Sequence, residues 1–484
     1  MLTKNKVLIL IGVSILIFLL VYTPHLVNPF PTHIDEWTHI TQSIKLKQGE
    51  FGFGKGIGNV EFGFHIFLAF ISLFVDLVGV YKFLPAIWAV VTALVLFLIV
   101  YNLTNKNFFI AVFSMLFLAS LKSNVNITGI WFFIPLTFSI VFIYLYVYLF
   151  SEGIRQENKK MILLSLVIML LLIPTHSISL LFAIPILAIY ALINYKKSIK
   201  QYKVLLLFLI IPILGIYFFS QLFGISFGDA FFRLLGELQF KHGWGILELN
   251  NSPFEIYSFI GYIFAVIGFT ALLMNKELRE KYLVYLIWPV VVLVYIIIFR
   301  LTGVSYISPY QRNLYYFAIS LPFLSAIGLY KTLMIIKNKI YKKSDNPREL
   351  YKVLRVFLII LAIVFMFMFY FSIPRNIKLY KVIDDDNYDA LKFLGNQPIV
   401  SGGKVMAPAS ISTAMFSISG HTPVGTIFFY GNREDVDKFF DSEDCEVKNE
   451  LIEKHNVIYV LSEKEINCRW DVIYNEVNNT IYRV

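Results

Sequence analysis

Long apolar runs recur along most of the chain and are separated by short polar segments. The hydrocarbon core of a bilayer is about 30 Å thick, so a helix needs roughly 17–25 apolar residues to cross it. The runs 161–174 and 178–194 are short and are broken by Pro174, which indicates a helical hairpin with His176 at its tip. In all, the pattern predicts eleven spanning helices, at 7–22, 83–101, 107–121, 129–150, 161–174, 178–194, 204–222, 256–274, 282–300, 313–330 and 353–373.

A polar tail follows the last apolar run. Residues 375–484 hold 17 acidic and 12 basic residues, whereas the whole chain has a net charge of +10. The tail is therefore predicted to be a separate α/β domain. Its predicted elements are helices at 387–394 and 449–454 and strands at 457–461, 470–474 and 480–484. Cys445 and Cys468 both lie here, and a disulfide between them and a pair of free thiols are equally compatible with the sequence.

Composition excludes a single soluble globular domain. Of the 484 residues, 58% are hydrophobic, and the mean hydropathy is +0.70. In soluble domains the apolar share is nearer half. Two cysteines are too few for a cysteine-built zinc or iron–sulfur site. The sequence also lacks a Walker motif and a dinucleotide-binding fingerprint, which argues against a nucleotide-driven pump.

The positions of the basic residues predict how the chain lies in the membrane. The apolar run 62–79 is interrupted by Asp76, which inside lipid would need a partner such as Lys82. If that run does not cross, one side of the membrane holds 21 of the 42 basic residues, the opposite loops hold 9 and the tail holds 12. The positive-inside rule then predicts a protein of the cell membrane with a cytoplasmic N-terminus and an extracytoplasmic tail.

The first outer loop, 23–82, carries a candidate site for chemistry. Asp35 and Glu36 begin a stretch in which Trp37, Ile40 and Ile44 have helical spacing, which predicts an amphipathic helix on the membrane surface. Adjacent acids on a helix point in different directions, so one can face a reacting group while the other binds a cation or orients the helix. An acidic pair by itself is more often an ordinary helix start.

The stretch from Asp35-Glu36 to Gly49-Glu50 resembles the first external loop of membrane glycosyltransferases of the GT-C superfamily. The similarity is greatest to the protein O-mannosyltransferase and aminoarabinose transferase branch, in which an Asp-Glu pair precedes a helix that ends at a glycine. The segment 309–328, which contains Arg312, looks like the late Arg-Tyr-type motif of that branch. The tail, with Lys454 to Leu461 and its last five residues, looks like the domain appended to archaeal members.

This resemblance implies a fold and a reaction. The fold is a polytopic α-helical membrane module, GT-C-like, over residues 1–374, followed by a small extracytoplasmic α/β domain over 375–484. The reaction is inverting transfer of a sugar from a polyprenyl phosphate, typically dolichyl phosphate, to a glycan, lipid or protein acceptor on the outer face. Asp35 is expected to act as the general base, with Glu36 in support or as a metal ligand.

Cations are needed to hold the phosphate of the donor. Arg312 is the first candidate because a guanidinium group matches phosphate oxygens and this residue lies where an outer loop re-enters the membrane. Arg300 and His176 are further candidates. Both arginines also fit ordinary snorkelling at a helix end, and a solvated turn is the simpler interpretation of the histidine.

A divalent cation, Mg²⁺ or Mn²⁺, is an open expectation, with Asp35, Glu36 and His39 as its candidate ligands. The second external loop argues against it, because the stretch 122–128 offers Asn124 and Asn126 where several GT-C branches have an acid.

A second large outer loop, 223–255, is expected to bind the sugar or the acceptor. The residues proposed for this are Arg233, Lys241, His242 and Trp244. The loop is equally compatible with a surface helix that covers the first loop.

Two other classes of function compete with an enzyme. A transporter or flippase for lipids or glycans usually has charged groups near the centres of several spans, whereas here polarity concentrates in the outer loops. A non-catalytic scaffold of GT-C fold is the other alternative. No nucleic-acid partner is expected.

Overall fold

The computed structural model describes residues 3–49, 61–123, 129–222, 226–229, 239–241, 252–343, 347–371, 381–427, 431–476 and 478–484. The chain divides into two compact units. The helical unit comprises Met1–Val21, Ala86–Trp131 and Pro135–Pro374. The mixed unit comprises Tyr22–Pro85, Phe132–Ile134 and Arg375–Val484, so the first loop and the tail belong to the same unit.

The elements in chain order are α1 (Lys4–Tyr22), a 3-10 turn (Thr23–Leu26), α2 (Ile34–Lys47), α3 (Phe62–Ile71), α4 (Leu77–Tyr81), α5 (Leu84–Leu103), α6 (Phe108–Ala119), α7 (Pro135–Arg155), α8 (Lys159–Ile193), α9 (Tyr195–Lys200), α10 (Tyr202–Leu205), α11 (Leu207–Leu222), β1 (Gln239–Lys241), a 3-10 turn (Pro253–Glu255), α12 (Phe259–Met274), α13 (Lys276–Lys281), α14 (Leu283–Thr302), β2 (Val304–Tyr306), α15 (Tyr310–Lys343), α16 (Pro347–Phe371), α17 (Asp385–Gly395), β3 (Lys404–Met406), α18 (Ala409–Ser419), α19 (Arg433–Asp441), α20 (Cys445–His455), β4 (Val457–Ser462), β5 (Asp471–Glu476) and β6 (Asn479–Arg483).

Six helical segments in the described part of the chain are long and apolar enough to cross a membrane. They are Lys4–Leu26, Leu84–Leu103, Pro135–Arg155, Lys159–Ile193, Leu283–Thr302 and Tyr310–Tyr341. The predicted spans 107–121, 204–222 and 256–274 correspond to the shorter apolar helices Phe108–Ala119, Tyr202–Phe218 and Phe259–Met274. The span predicted at 129–150 begins six residues later, at Pro135, and α15 extends well beyond the predicted 313–330.

Helix α8 is two antiparallel halves that reverse at His176. Its 35 residues would reach about 52 Å if straight, but the backbone of His176 is not helical, with φ −164° and ψ 86°. Ile162 and Tyr190, near opposite ends of α8, both contact the C-terminal end of α7, at Gly153 and Ser151. The reversal itself lies beside the other end of α7. The hairpin expected at 161–174 and 178–194 is therefore present.

Helices α12 and α15 approach closely because each has a glycine at the crossing. A Cβ atom on Gly328 would lie 1.8 Å from the carbonyl oxygen of Phe264, and one on Gly268 would lie 2.0 Å from that of Leu324. Small residues of this kind let backbones pack closely in membrane proteins.

The tail forms a four-stranded sheet with the strand order β3-β4-β6-β5. Strands β3 and β4 are parallel, and β6 is antiparallel to both β4 and β5. Helices α19 and α20 cover this sheet, and Phe439, Leu451 and Val460 belong to the shared core. Cys445 and Cys468 form a disulfide with a Cα–Cα distance of 5.7 Å. The three predicted strands lie within two residues of β4, β5 and β6, whereas β3, α18 and α19 were not predicted.

The apolar run 62–79 folds as two short helices, of which α3 has ten residues. Ten residues span about 15 Å, half the thickness of a bilayer core. Asp76 is the N-cap of α4, and its carboxylate accepts hydrogen bonds from the backbone N–H groups of Val78 and Gly79. These backbone groups, rather than the Lys82 ammonium expected for a carboxylate in lipid, are the partners of Asp76.

Candidate active site

A capping box holds the N-terminus of α2. The two adjacent acids there, Asp35 and Glu36, have different environments. His33 is the N-cap, and its Nδ1 accepts a hydrogen bond from the backbone N–H of Asp35 at 3.1 Å. In return, Oε2 of Glu36 accepts hydrogen bonds from the N–H groups of Thr32 and His33, at 2.8 and 3.1 Å. Such a box satisfies backbone donors that a helix start otherwise leaves without partners.

Glu36 also binds a distant segment. Its Oε1 accepts a hydrogen bond from the backbone N–H of Phe133 at 2.8 Å, and the residue is 0% exposed. Burial raises the pKa of this carboxyl to about 7, although the three N–H groups favour its charged form. Oε2 of Glu36 thus fixes the start of α2, and Oε1 holds it against the Phe132–Ile134 segment.

Asp35 is the accessible acid of the pair. Its side chain is 25% exposed, and its Oδ2 lies 3.5 Å from Nδ1 of His33. Because the capping box fixes the backbone beneath it, the carboxylate projects from a rigid position. Of the two acids, Asp35 has the exposure that a general base needs to meet an acceptor from solution.

His39 is buried and faces α3. Its Nδ1 lies 3.0 Å from Nε2 of His65, and its Nε2 lies 3.7 Å from Oε2 of Glu61. The residues predicted as metal ligands do not form a ligand set, because Glu36 is occupied by backbone donors and His39 by other side chains. Within the described ranges there is no group of three or more His, Cys, Asp or Glu side chains placed to hold a metal ion. A metal requirement stays a prediction.

In the helical unit, the reversal of α8 lies in a buried polar cluster. Nδ1 of His176 is 2.6 Å from Oγ of Ser179, and this hydroxyl also contacts Oγ of Ser139 at 2.7 Å and the hydroxyl of Tyr316 at 3.0 Å. His176 is only 4% exposed, so it is not a solvated turn residue. Arg312 lies one helical turn before Tyr316 on α15.

Arg300 contacts Tyr310 within the helical unit. Its Nε donates a hydrogen bond to the Tyr310 hydroxyl at 2.7 Å, and its guanidinium lies 5.0 Å from the centre of that ring. Burial raises the pKa of the nearby Glu255, while the charges of Arg300 and Lys122 oppose this shift. This environment favours a role for Arg300 in holding the end of α14 next to the start of α15.

The start of α15 is fixed by a network that the sequence analysis did not identify. The amide of Asn313 donates to Oγ of Ser305 at 3.0 Å and to the carbonyl of Ser308 at 3.2 Å. The Ser308 hydroxyl donates to the amide oxygen of Asn313. This network fixes the first turn of α15, which carries Arg312 next to Asn313. In the sequence, serines within apolar stretches are the feature that could have indicated both buried clusters, because polar residues inside a membrane protein are usually paired with one another.

The second outer loop lies mostly outside the described residues. Arg233, His242 and Trp244 are in this part, and only the backbone of Lys241 is described, as the last residue of β1. Asn124 and Asn126 also lie outside the described residues.

The sequence matches no protein-family model and no curated protein. Solved structures do match. ArnT from Cupriavidus metallidurans, bound to undecaprenyl phosphate, has a TM-score of 0.58 at 10% identity, and the match covers 99% of this chain and 98% of that one. The archaeal oligosaccharyltransferase AglB from Archaeoglobus fulgidus, in complex with an inhibitory peptide and a dolichol-phosphate, has a TM-score of 0.56 at 12% identity, covering 95% and 70%.

The chain has the GT-C fold. Both neighbours belong to the GT-C superfamily, and the match extends over nearly the whole chain, including the tail. Together with the six apolar helices, the GT-C fold makes this a multi-pass membrane protein with a small C-terminal sheet. The fold class expected from the Asp35-Glu36 stretch is thereby confirmed.

Proposed function

We propose that this protein is a GT-C glycosyltransferase that moves a sugar from a polyprenyl-phosphate donor to an acceptor on the extracytoplasmic face. The observation that carries the proposal is the contrast within the acidic pair: Glu36 is buried and fixes α2, whereas the side chain of Asp35 is 25% exposed. The two GT-C neighbours, described in complex with undecaprenyl phosphate and with a dolichol-phosphate, support the donor class.

In the proposed reaction, the carboxylate of Asp35 accepts the proton of an acceptor hydroxyl. The freed oxygen attacks the anomeric carbon of the sugar, a bond forms between them, and the bond from that carbon to the phosphate oxygen breaks. A single displacement of this kind inverts the configuration and releases the polyprenyl phosphate as an anion. Asp35 then loses its proton to water.

The phosphate of the donor is assigned to cationic and hydrogen-bonding groups of the helical unit. Arg312 supplies the positive charge, since guanidinium groups bind phosphate oxygens strongly. His176 is proposed to act with it, held by Ser179 at the reversal of α8. Arg300 takes a lesser part because its Nε is bonded to Tyr310.

The orientation is also a proposal. The mixed unit contains residues 22–85, 132–134 and 375–484. We take this compact unit to lie on one side of the membrane. The chain must therefore cross an even number of times between these segments, which supports an odd total and termini on opposite sides. With the basic loops in the cytoplasm, the mixed unit faces outward.

The test is transfer of radiolabelled sugar from polyprenyl-phosphate monosaccharides to total membrane acceptors by the purified protein in nanodiscs. Asp35→Asn is expected to lower transfer by about a hundredfold or more, the usual contribution of a general base. Asp385→Asn is the matched control, because Asp385 is an exposed acid in the first turn of α17, in the same unit. Equal amounts of labelled product from wild type and Asp35→Asn would contradict the proposed role of Asp35 as the general base.

A further inference from the structure

Helix α3 has one face packed in the mixed unit and one face in the open. Phe64, His65 and Leu68 are buried, and Nε2 of His65 lies 3.0 Å from Nδ1 of His39 on α2. The other face of α3 and the turn after it carry five large apolar side chains, each between 43% and 71% exposed. We call these residues the α3 patch: Ile66, Phe70, Leu73, Phe74 and Val75. Positions 66, 70, 73 and 74 follow the spacing of one helical face.

The α3 patch is continuous and carries no charge. The N–H groups of Leu73 and Phe74 donate to the carbonyls of Phe70 and Ile71, at 3.2 and 3.0 Å, so the turn continues the helical path. The rings of Phe70 and Phe74 are in edge contact, with 5.2 Å between their centroids. The sequence from Phe62 to Val75 contains no Asp, Glu, Lys or Arg. An exposed apolar surface of this kind marks a site that meets a protein or a membrane.

The path of the chain favours the membrane as the partner. Only residues 76–82 separate the patch from Phe83, whose ring stacks on that of Tyr22 with 5.4 Å between centroids. Tyr22 lies in the candidate span Lys4–Leu26, and the candidate span Leu84–Leu103 begins directly after Phe83. Between the patch and these two span ends, α4 has five residues and is about 8 Å long. The patch therefore lies close to the level at which both spans leave the bilayer.

A lysine at the edge of the patch fits the same partner. Nζ of Lys47, the last residue of α2, donates a hydrogen bond to the carbonyl of Ser72 at 3.0 Å. An ammonium group beside an apolar surface is typical of the bilayer interface, where it meets lipid phosphates. The apolar face of α2 is not such a surface, because Trp37 and Ile40 are 0% exposed. The membrane-surface helix predicted at Trp37 thus keeps its apolar face inside the unit, and α3 has its apolar side chains in the open.

We infer that the α3 patch inserts into the outer leaflet of the membrane and sets the depth of α2. The inference rests on the proposed function for the outer face and for the role of Asp35. Helix α2 is bound to α3 near its middle, where His39 meets His65. It is bound again at its end, where Lys47 meets Ser72. The patch therefore holds Asp35, at the start of α2, at a fixed height relative to the lipid phosphates and to a donor whose phosphate lies at the membrane surface.

Quenching by labelled lipids tests the insertion without using catalysis. The two native cysteines form the disulfide, so Phe74→Cys adds one reactive thiol to the full-length protein, which is then labelled with the fluorophore NBD. In phosphatidylcholine nanodiscs, lipid that carries a nitroxide near the head of its acyl chain should quench this fluorophore. Leu98→Cys, 56% exposed on the spanning helix α5, should be quenched as well. Glu450→Cys, an exposed position on α20 in the tail, should not be quenched.

Loss of fluorescence in Phe74→Cys that approaches the loss in Leu98→Cys would support the insertion. A Phe74→Cys signal that the nitroxide lipid leaves unchanged, as in Glu450→Cys, would overturn it. Iodide in the buffer then identifies what the patch meets instead. Quenching by iodide indicates water, and protection from both quenchers indicates a second copy of the chain or another protein.

The effect on α2 is tested by comparing the rate of sugar transfer in nanodiscs with the rate in detergent micelles, because only a bilayer imposes a depth. Phe70→Asp puts a carboxylate into the leaflet and is expected to lower the ratio of the two rates about threefold to tenfold. Val472→Asp is the matched control, a similar change at a side chain that is 56% exposed on β5, and it should leave the ratio unchanged.

A folding defect alone would lower both rates of Phe70→Asp equally. A ratio that stays at the wild-type value would therefore overturn the link between the patch and α2. Absence of transfer by wild type in both settings, with quenching of Phe74→Cys retained, would instead count against the proposed transferase and not against the insertion.

Discussion

Oε1 of Glu36 accepts a hydrogen bond from the backbone N–H of Phe133 at 2.8 Å, across 97 residues of sequence. The same carboxylate caps the start of α2 through the N–H groups of Thr32 and His33. One buried side chain therefore joins three backbone donors of the mixed unit. Its neighbour Asp35 is held in place by this arrangement and, with a partly exposed side chain, is available for chemistry.

Removing the Glu36 carboxylate is expected to destabilise the protein strongly. In Glu36→Ala, three buried N–H groups lose their acceptor, and each unsatisfied donor costs about 1–3 kcal/mol. The free energy of unfolding should fall by roughly 3 kcal/mol or more, measured as a lower thermal midpoint in detergent. Asp35→Ala, a change at a partly exposed neighbour whose carboxylate accepts no backbone hydrogen bond from a distant segment of the described chain, should stay within about 0.5 kcal/mol of wild type. Similar midpoints for the two variants would contradict the role assigned to Glu36.

Stability is expected to depend on pH through Glu36. Burial raises the pKa of its carboxyl from 4.5 to about 7, so between these values the folded protein holds a proton that the unfolded chain has released. The contribution of Glu36 to stability is therefore fully present below about pH 4.5 and falls as pH rises towards 7, by at most about 3 kcal/mol. The thermal midpoint of wild type relative to the non-titrating Glu36→Gln should fall across this window. A difference that is constant with pH would rule out a titrating Glu36.

A methyl group at Gly328 should separate α12 from α15. The added Cβ would lie 1.8 Å from the carbonyl oxygen of Phe264, so the backbones must move apart. Overpacking of this kind costs about 1–3 kcal/mol, and Gly328→Ala should lower the thermal midpoint accordingly. Gly215→Ala is the control, since nothing lies within 4 Å of a Cβ there and alanine is the better helix former. A midpoint for Gly328→Ala at or above that of Gly215→Ala would contradict the close crossing.

The disulfide should stabilise the tail. Cys445 and Cys468 are 23 residues apart in sequence, and closing a loop of this length restricts the unfolded chain by about 3 kcal/mol. Replacing both cysteines by serine should increase hydrogen exchange in α20 and β4 and make the tail more sensitive to protease. Unchanged exchange in these elements would show that the bond contributes little.

The apolar runs, the tail strands and the helix at Asp35 could all be predicted, because each depends on a pattern within a short stretch of chain. The hairpin at His176 is a further example, since a proline between two short apolar runs indicates a reversal. The sequence placed His176 at a solvated tip or a functional site, and the structure places it in a buried cluster with Ser179 and Tyr316. That cluster joins residues from different helices, which no local pattern reveals.

By itself, the sequence determined that this is a membrane protein with a polar C-terminal domain and an acidic pair at the start of an amphipathic helix. Hydrophobic periodicity and composition are local properties, so they are readable without coordinates. Only the tertiary structure decided that the first loop and the tail form one unit, and that Glu36 is buried against Phe133 while Asp35 stays partly exposed. Those features are contacts between residues up to several hundred positions apart, and such contacts exist only once the whole chain has packed.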